Sequence, residues 1–119
     1  MLEPGALDAT LAMDLDADLR APGGAVTTAL CGHWEHEPPC PLAPHHTHAE
    51  RSGDHVVLRI LFAAEPERFE DVRSRIEAAL AAGRLRGPDG VTTHWLLVGC
   101  GPGEVRADEL EHARRLMHG

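Results

Sequence analysis

The segment from residue 55 to residue 98 constrains the fold of this 119-residue chain more than any other part. In His55–Phe62 (HVVLRILF) every second residue is apolar, a period of two that predicts a strand with a buried face. Glu65–Gly83 opens with a proline in its first turn, spaces its apolar residues as a helix does and ends at a glycine. Val91–Val98 then predicts another strand. A strand, helix and strand in this order favour a right-handed parallel crossover.

The remaining elements are predicted from weaker patterns. Ala9–Asp18 alternates apolar and polar residues as a strand does, and Ala25–Cys31 follows a Pro-Gly-Gly turn signal and predicts a second strand in a hairpin. Gly99–Gly103 is expected to end the fourth strand, and Glu104–Met117 to form an amphipathic closing helix.

Together these elements predict a single α+β domain over residues 1–119. Its expected architecture is a two-layer sandwich with a four-stranded mixed sheet and two helices on one face. The predicted order is ββ-loop-βαβα, which differs from the order of a ferredoxin-like plait.

Composition narrows the function classes. The formal net charge is -8, which disfavours nucleic acid and anionic membranes as partners. No apolar run reaches the length of a transmembrane helix, and the N-terminal residues lack the pattern of a secretory signal. Three cysteines are an odd number for a disulfide framework, so reduced thiols and a cytoplasmic location are expected.

The segment from residue 31 to residue 48 (CGHWEHEPPCPLAPHHTH) is the part of the sequence that indicates chemistry. It holds two of the three cysteines and five of the nine histidines of the chain. Thiolates and imidazoles are the ligands that zinc and its neighbouring transition metals prefer. Four prolines between residues 38 and 44 exclude a helix, so a loop over about 31–50 is predicted, and a bound metal would hold such a loop in place.

A tetrahedral Cys2His2 zinc site is the simplest use of these groups, with both cysteines and two of the histidines. The spacing does not match the common zinc-finger pattern, and copper, nickel or iron also suit a histidine-rich shell. A solvated histidine cluster without metal and a Cys31–Cys40 disulfide are the competing interpretations. The candidate metal ligands are Cys31, His36, Cys40, His45, His46 and His48.

The purpose of such a site remains open among three hypotheses. A closed four-ligand site would be structural, and the protein would then act through a partner or as a homodimer that covers the free sheet face with residues such as Val57 and Leu61. An open three-ligand site would bind a reactive water, with a glutamate such as Glu50 as general base of a hydrolase or oxygen-handling enzyme. Exchangeable surface ligands would suit a metal sensor or chaperone.

Overall fold

The structure is a computed structural model that describes residues 2–31, 45–87 and 89–117, without the side chains of Cys31 and Met117. Six strands and three helices occupy these ranges, and two single turns of 3-10 helix (66–68 and 107–109) precede the last two helices. The elements are β1 (Glu3–Ala12), α1 (Arg20–Cys31), β2 (His45–Ser52), β3 (His55–Ala64), α2 (Phe69–Ala82), β4 (Arg84–Arg86), β5 (Thr92–His94), β6 (Leu96–Gly103) and α3 (Leu110–Met117).

The main sheet has four strands in the order β2-β3-β1-β6, and every neighbouring pair is antiparallel. The predicted α+β sandwich with a four-stranded sheet is therefore confirmed, while the mixed sheet is corrected to an antiparallel one. β3 and β6 run parallel to each other with β1 between them, so α2 makes a split crossover. The resulting βαββαβ order is that of the ferredoxin-like plait. β4 and β5 form a separate two-stranded sheet.

The two faces of the main sheet have different environments. Alternate residues of the central strands, together with the apolar sides of α1 and α2, form the buried core on the first face, which includes Leu11, Leu58, Phe62, Val26 and Ile76. The opposite face, called here the second face, carries Asp8, Thr10, His46, His48, Glu50, Val57, Arg59 and Leu61. α3 lies on this second face against β3 and β1, where Ala113 and Leu61 are buried.

The predicted second strand, Ala25–Cys31, is wrong: these residues belong to α1. The backbone N–H of Arg20 donates to Oδ1 of Asp18 at 2.9 Å, which satisfies a donor at the start of the helix. Gly23 lies within α1 rather than in a turn. Its lack of a side chain allows α1 to approach β2 closely. A Cβ on Gly23 would lie 2.6 Å from Oγ1 of Thr47.

Other boundaries also move. The first strand lies at 3–12 rather than 9–18 and pairs with β3 and β6, so the predicted N-terminal hairpin does not form. Residues 45–52, expected in the loop, form β2. The fourth predicted strand divides at the buried Trp95, and Gly99–Gly103 continues β6 instead of ending it. No helix within the described ranges is long and apolar enough to cross a membrane.

Candidate metal centre

β2 sends the predicted histidine ligands to opposite faces of the sheet. His45 faces α1, where its Nε2 lies 2.9 Å from Oγ1 of Thr27. His46 and His48 stand on the second face, because successive side chains of a strand alternate. An ion bound by His45 is therefore on the other side of the sheet from an ion bound by His46 or His48. His45 and His48 are three residues apart, and because a strand rather than a tight turn connects them, they stand on opposite faces.

The two ends of the Cys/His-rich segment lie near each other. Thr27, which contacts His45, stands one helical turn before Cys31, the last residue of α1. The end of α1 and the start of β2 therefore lie at the same end of the domain. His36 and Cys40 lie outside the described residues.

His46 and His48 line a groove on the second face, and His112 of α3 lines it with them. The groove has a volume of about 350 Å³. The rings of His46 and His112 are in contact, with centroids 4.3 Å apart and planes inclined by 48°. Nε2 of His48 lies 3.2 Å from Oε1 of Glu50. The second-face groove is lined by Asp8, His46, His48, Glu50, Val57, Arg59, Leu61, Arg106, Asp108, Glu109 and His112.

Arg59 positions α3 over this groove. Its Nη1 donates to both carboxylate oxygens of Asp8 at 2.9 Å, and its Nη2 donates to Oε1 of Glu109 at 2.8 Å and to the carbonyl of Glu104. Glu109 stands three residues before His112, so fixing Glu109 to β3 brings His112 over the neighbouring strand β2. The hydrogen bond from Arg59 holds the pKa of Glu109 below its usual range, although desolvation opposes this shift.

His46 is favoured in its neutral form. Partial burial is the main cause that lowers the pKa of His46, and the nearby His112, His48 and His45 lower it further. The neutral imidazole is the form that binds a metal. Nevertheless, within the part of the chain that the structure describes, no three His, Cys, Asp or Glu side chains already converge on a point that could hold an ion.

Sequence reasoning missed two further features. His112 was not a candidate ligand, since only the folded chain brings α3 to β2. A cleft of about 590 Å³ lies between the β1–α1 loop and the β4–β5 hairpin, and its walls include Asp14, Asp16, Asp89 and His94. These residues come from segments far apart in the chain, so no local motif indicates the cleft.

Comparison with known proteins gives no assignment to set beside this geometry. No protein-family model, no curated protein and no solved structure matches the chain.

Proposed function

We propose that this protein binds one Zn²⁺ through its Cys/His-rich segment and that the ion ties this segment to the end of α1 and the start of β2. The contact between Thr27 and His45 carries this proposal, because it brings the flanks of the segment together and both flanks offer a ligand. The proposed ligands are Cys31, His36, Cys40 and His45. Of these, His36 and Cys40 are included because of their residue types and sequence positions.

Two thiolates and two imidazoles make a closed tetrahedral shell, which is typical of structural zinc. The neighbouring Thr27 hydroxyl would orient the His45 ring, as groups beyond the ligands commonly do in zinc sites. Zinc would supply ordering free energy to a proline-rich segment of low apolar content. We place this function in the cytoplasm, where reduced thiols remain available for the metal.

Metal content tests the proposal. Protein purified without an affinity tag is expected to contain zinc, and its Co²⁺-substituted form to show the near-ultraviolet charge-transfer band of thiolate ligands. Cys31→Ala and Cys40→Ala are expected to lose this band, because each removes a thiolate ligand. Cys100→Ala is the matched control, since Cys100 lies on β6 opposite Ala9. A thiolate band of native intensity in both Cys31→Ala and Cys40→Ala would refute the site.

We further propose that the protein acts by forming a homodimer through the open part of its second face. α3 covers one part of this face, while apolar side chains elsewhere on or beside it stay exposed: Val57 (43%), Leu96 (68%), Val98 (56%) and Leu110 (44%). A Cβ on Gly99 or Gly101 of β6 would meet no atom within 4 Å, so the backbone there is open to close approach. Large apolar side chains exposed along one face favour an interaction surface there.

Sedimentation equilibrium tests the dimer. The native protein is expected to sediment as a dimer, and Leu96→Asp as a monomer, because a buried unpaired carboxylate opposes association. Leu15→Asp removes a side chain that is 76% exposed in the loop after β1, so it controls for the loss of surface apolar area. Equal dissociation constants for Leu96→Asp and Leu15→Asp would exclude this interface.

A further inference from the structure

We propose that the second-face groove is a separate, open metal site in which His46, His48 and His112 bind one divalent transition-metal ion. This inference goes beyond the proposed zinc site and does not depend on it. The two sites share no ligand and lie on opposite sides of the sheet.

Strand pairing and the Arg59–Glu109 hydrogen bond together place the three imidazoles near one another. In the β2–β3 register His48 is directly opposite Arg59, and His46 is opposite Leu61. Arg59 binds Glu109, which stands one helical turn before His112. His112 therefore sits over the strand that carries the other two rings, and it already contacts His46 with ring centroids 4.3 Å apart.

The spacing of His46 and His48 along β2 allows both imidazoles to reach one ion. His46 and His48 are two residues apart on one face, a separation of about 7 Å between their Cα atoms. Imidazole nitrogens bind zinc at about 2.0–2.1 Å, and side chains of this length bridge that separation by leaning toward a common ion. His112 of α3 supplies the third imidazole from the helix that lies over the sheet.

Acidic side chains outnumber basic ones in the lining of the groove. Four carboxylates line it (Asp8, Glu50, Asp108 and Glu109) and only two guanidinium groups, those of Arg59 and Arg106. Arg59 is already neutralised by Asp8 and Glu109. The excess of carboxylates over guanidinium groups gives the groove an acidic lining, which attracts a divalent cation.

Binding requires one side chain to turn. The described residues hold no preformed three-ligand set, and the His48 ring contacts Glu50. The side chains of His48 and Glu50 are 62% and 76% exposed, and an exposed contact of this kind contributes little to stability. His48 is therefore able to leave Glu50 for the ion, with Glu50 left beside the site.

Three imidazoles on one ion define the kind of site. Zn²⁺, Cu²⁺ and Ni²⁺ accept this ligand set, whereas Mg²⁺ and Ca²⁺ prefer oxygen ligands. Three protein ligands leave at least one coordination position to water or to a small anion, as in catalytic zinc sites.

Cobalt titration of the metal-free full-length protein tests this site. We expect a Co²⁺ equivalent whose visible absorption appears without a thiolate charge-transfer band and persists in Cys31→Ala. His112→Gln and His48→Gln are each expected to weaken this equivalent at least tenfold. His94→Gln, at an exposed histidine of β5, is expected to bind as the native protein does.

The outcomes separate the two metal sites. Loss of the thiolate-free equivalent in both groove variants, with the thiolate band kept, supports a groove site distinct from the cysteine site. Native affinity for that equivalent in either variant overturns it, whatever happens at the cysteines. His48→Gln changes an exposed side chain, so folding does not decide its result, and circular dichroism confirms the fold of His112→Gln.

Discussion

Replacing Arg59 by Met is expected to lower the free energy of unfolding by about 3 kcal/mol, because hydrogen bonds to charged groups contribute about 1.5–3 kcal/mol and this partly buried guanidinium makes several of them. The Arg59 side chain is only 11% exposed, and Glu109 would be left at 16% exposure without its cation. Asp8, at 45% exposure, regains water and limits the loss. Urea denaturation measures the change.

Arg75→Met is the matched control for this substitution. Arg75 pairs with Asp71 one turn earlier on α2, at 3.4 Å, and both side chains are about half exposed. Exposed pairs of this kind contribute about 0.3–0.5 kcal/mol. Similar losses for Arg59→Met and Arg75→Met would show that Arg59 does not fasten α3 to the sheet.

The stability difference between native protein and Arg59→Met also depends on pH. Since Arg59 lowers the pKa of Glu109, the stabilisation is fully present above the ordinary carboxyl pKa of 4.5 and is lost as the pH falls through the lower folded value. The difference is therefore expected to be largest near neutral pH and to shrink in acid.

Sequence reasoning succeeded where burial follows a simple period. β3 was found because its apolar residues alternate in the centre of the sheet, and α2 because Val72, Ile76 and Leu80 return every four residues to the core. The sandwich class and the four-stranded sheet followed from these elements. Their periodicity is strong because one face of β3 is buried along its whole length, from Val56 to Ala64, and one face of α2 packs into the same core.

α1 was missed because its sequence opposes its structure locally. Pro22-Gly23-Gly24 resembles a turn, and Val26 and Thr27 favour strands. What decides the helix is tertiary: Ala21, Ala25 and Val26 pack into the core, and Gly23 admits Thr47. This error replaced the first β-α unit of the plait by a hairpin.

β2 was missed for a different reason. It is an edge strand, and its sequence HHTHAERS has hardly any apolar alternation for a pattern search to detect. Nevertheless, its partly buried and exposed residues alternate strictly. That alternation puts His45 on one face and His46 and His48 on the other. The histidines that the sequence could not assign to one ion are therefore divided between the proposed zinc site and the second-face groove.

Gly83→Ala is expected to lower the free energy of unfolding by about 3 kcal/mol through two separate costs. Gly83 ends α2 with φ of 72°, a left-handed conformation that costs a residue with a Cβ about 1–2 kcal/mol. The new Cβ would also lie 2.7 Å from the backbone oxygen of Trp95. Overpacking of this kind adds about 1–3 kcal/mol.

The backbone cannot easily move to relieve this contact. The N–H of Trp95 donates to the carbonyl of Gly83 at 2.9 Å, and its indole Nε1–H donates to the carbonyl of Leu80 at 2.8 Å. Both bonds join the end of α2 to the start of β6, and moving the chain to admit a methyl group would stretch them. A buried polar group that loses its partner is itself costly.

Gly53→Ala separates the two costs. Gly53 joins β2 to β3 with φ of 64°, and a Cβ there would meet no atom within 4 Å. Its substitution therefore carries only the conformational cost, about 1–2 kcal/mol. Equal losses of unfolding free energy in the two variants, measured by urea denaturation, would contradict the steric argument, whereas a larger loss for Gly83→Ala would show that the approach of Trp95 is what requires glycine at the end of α2.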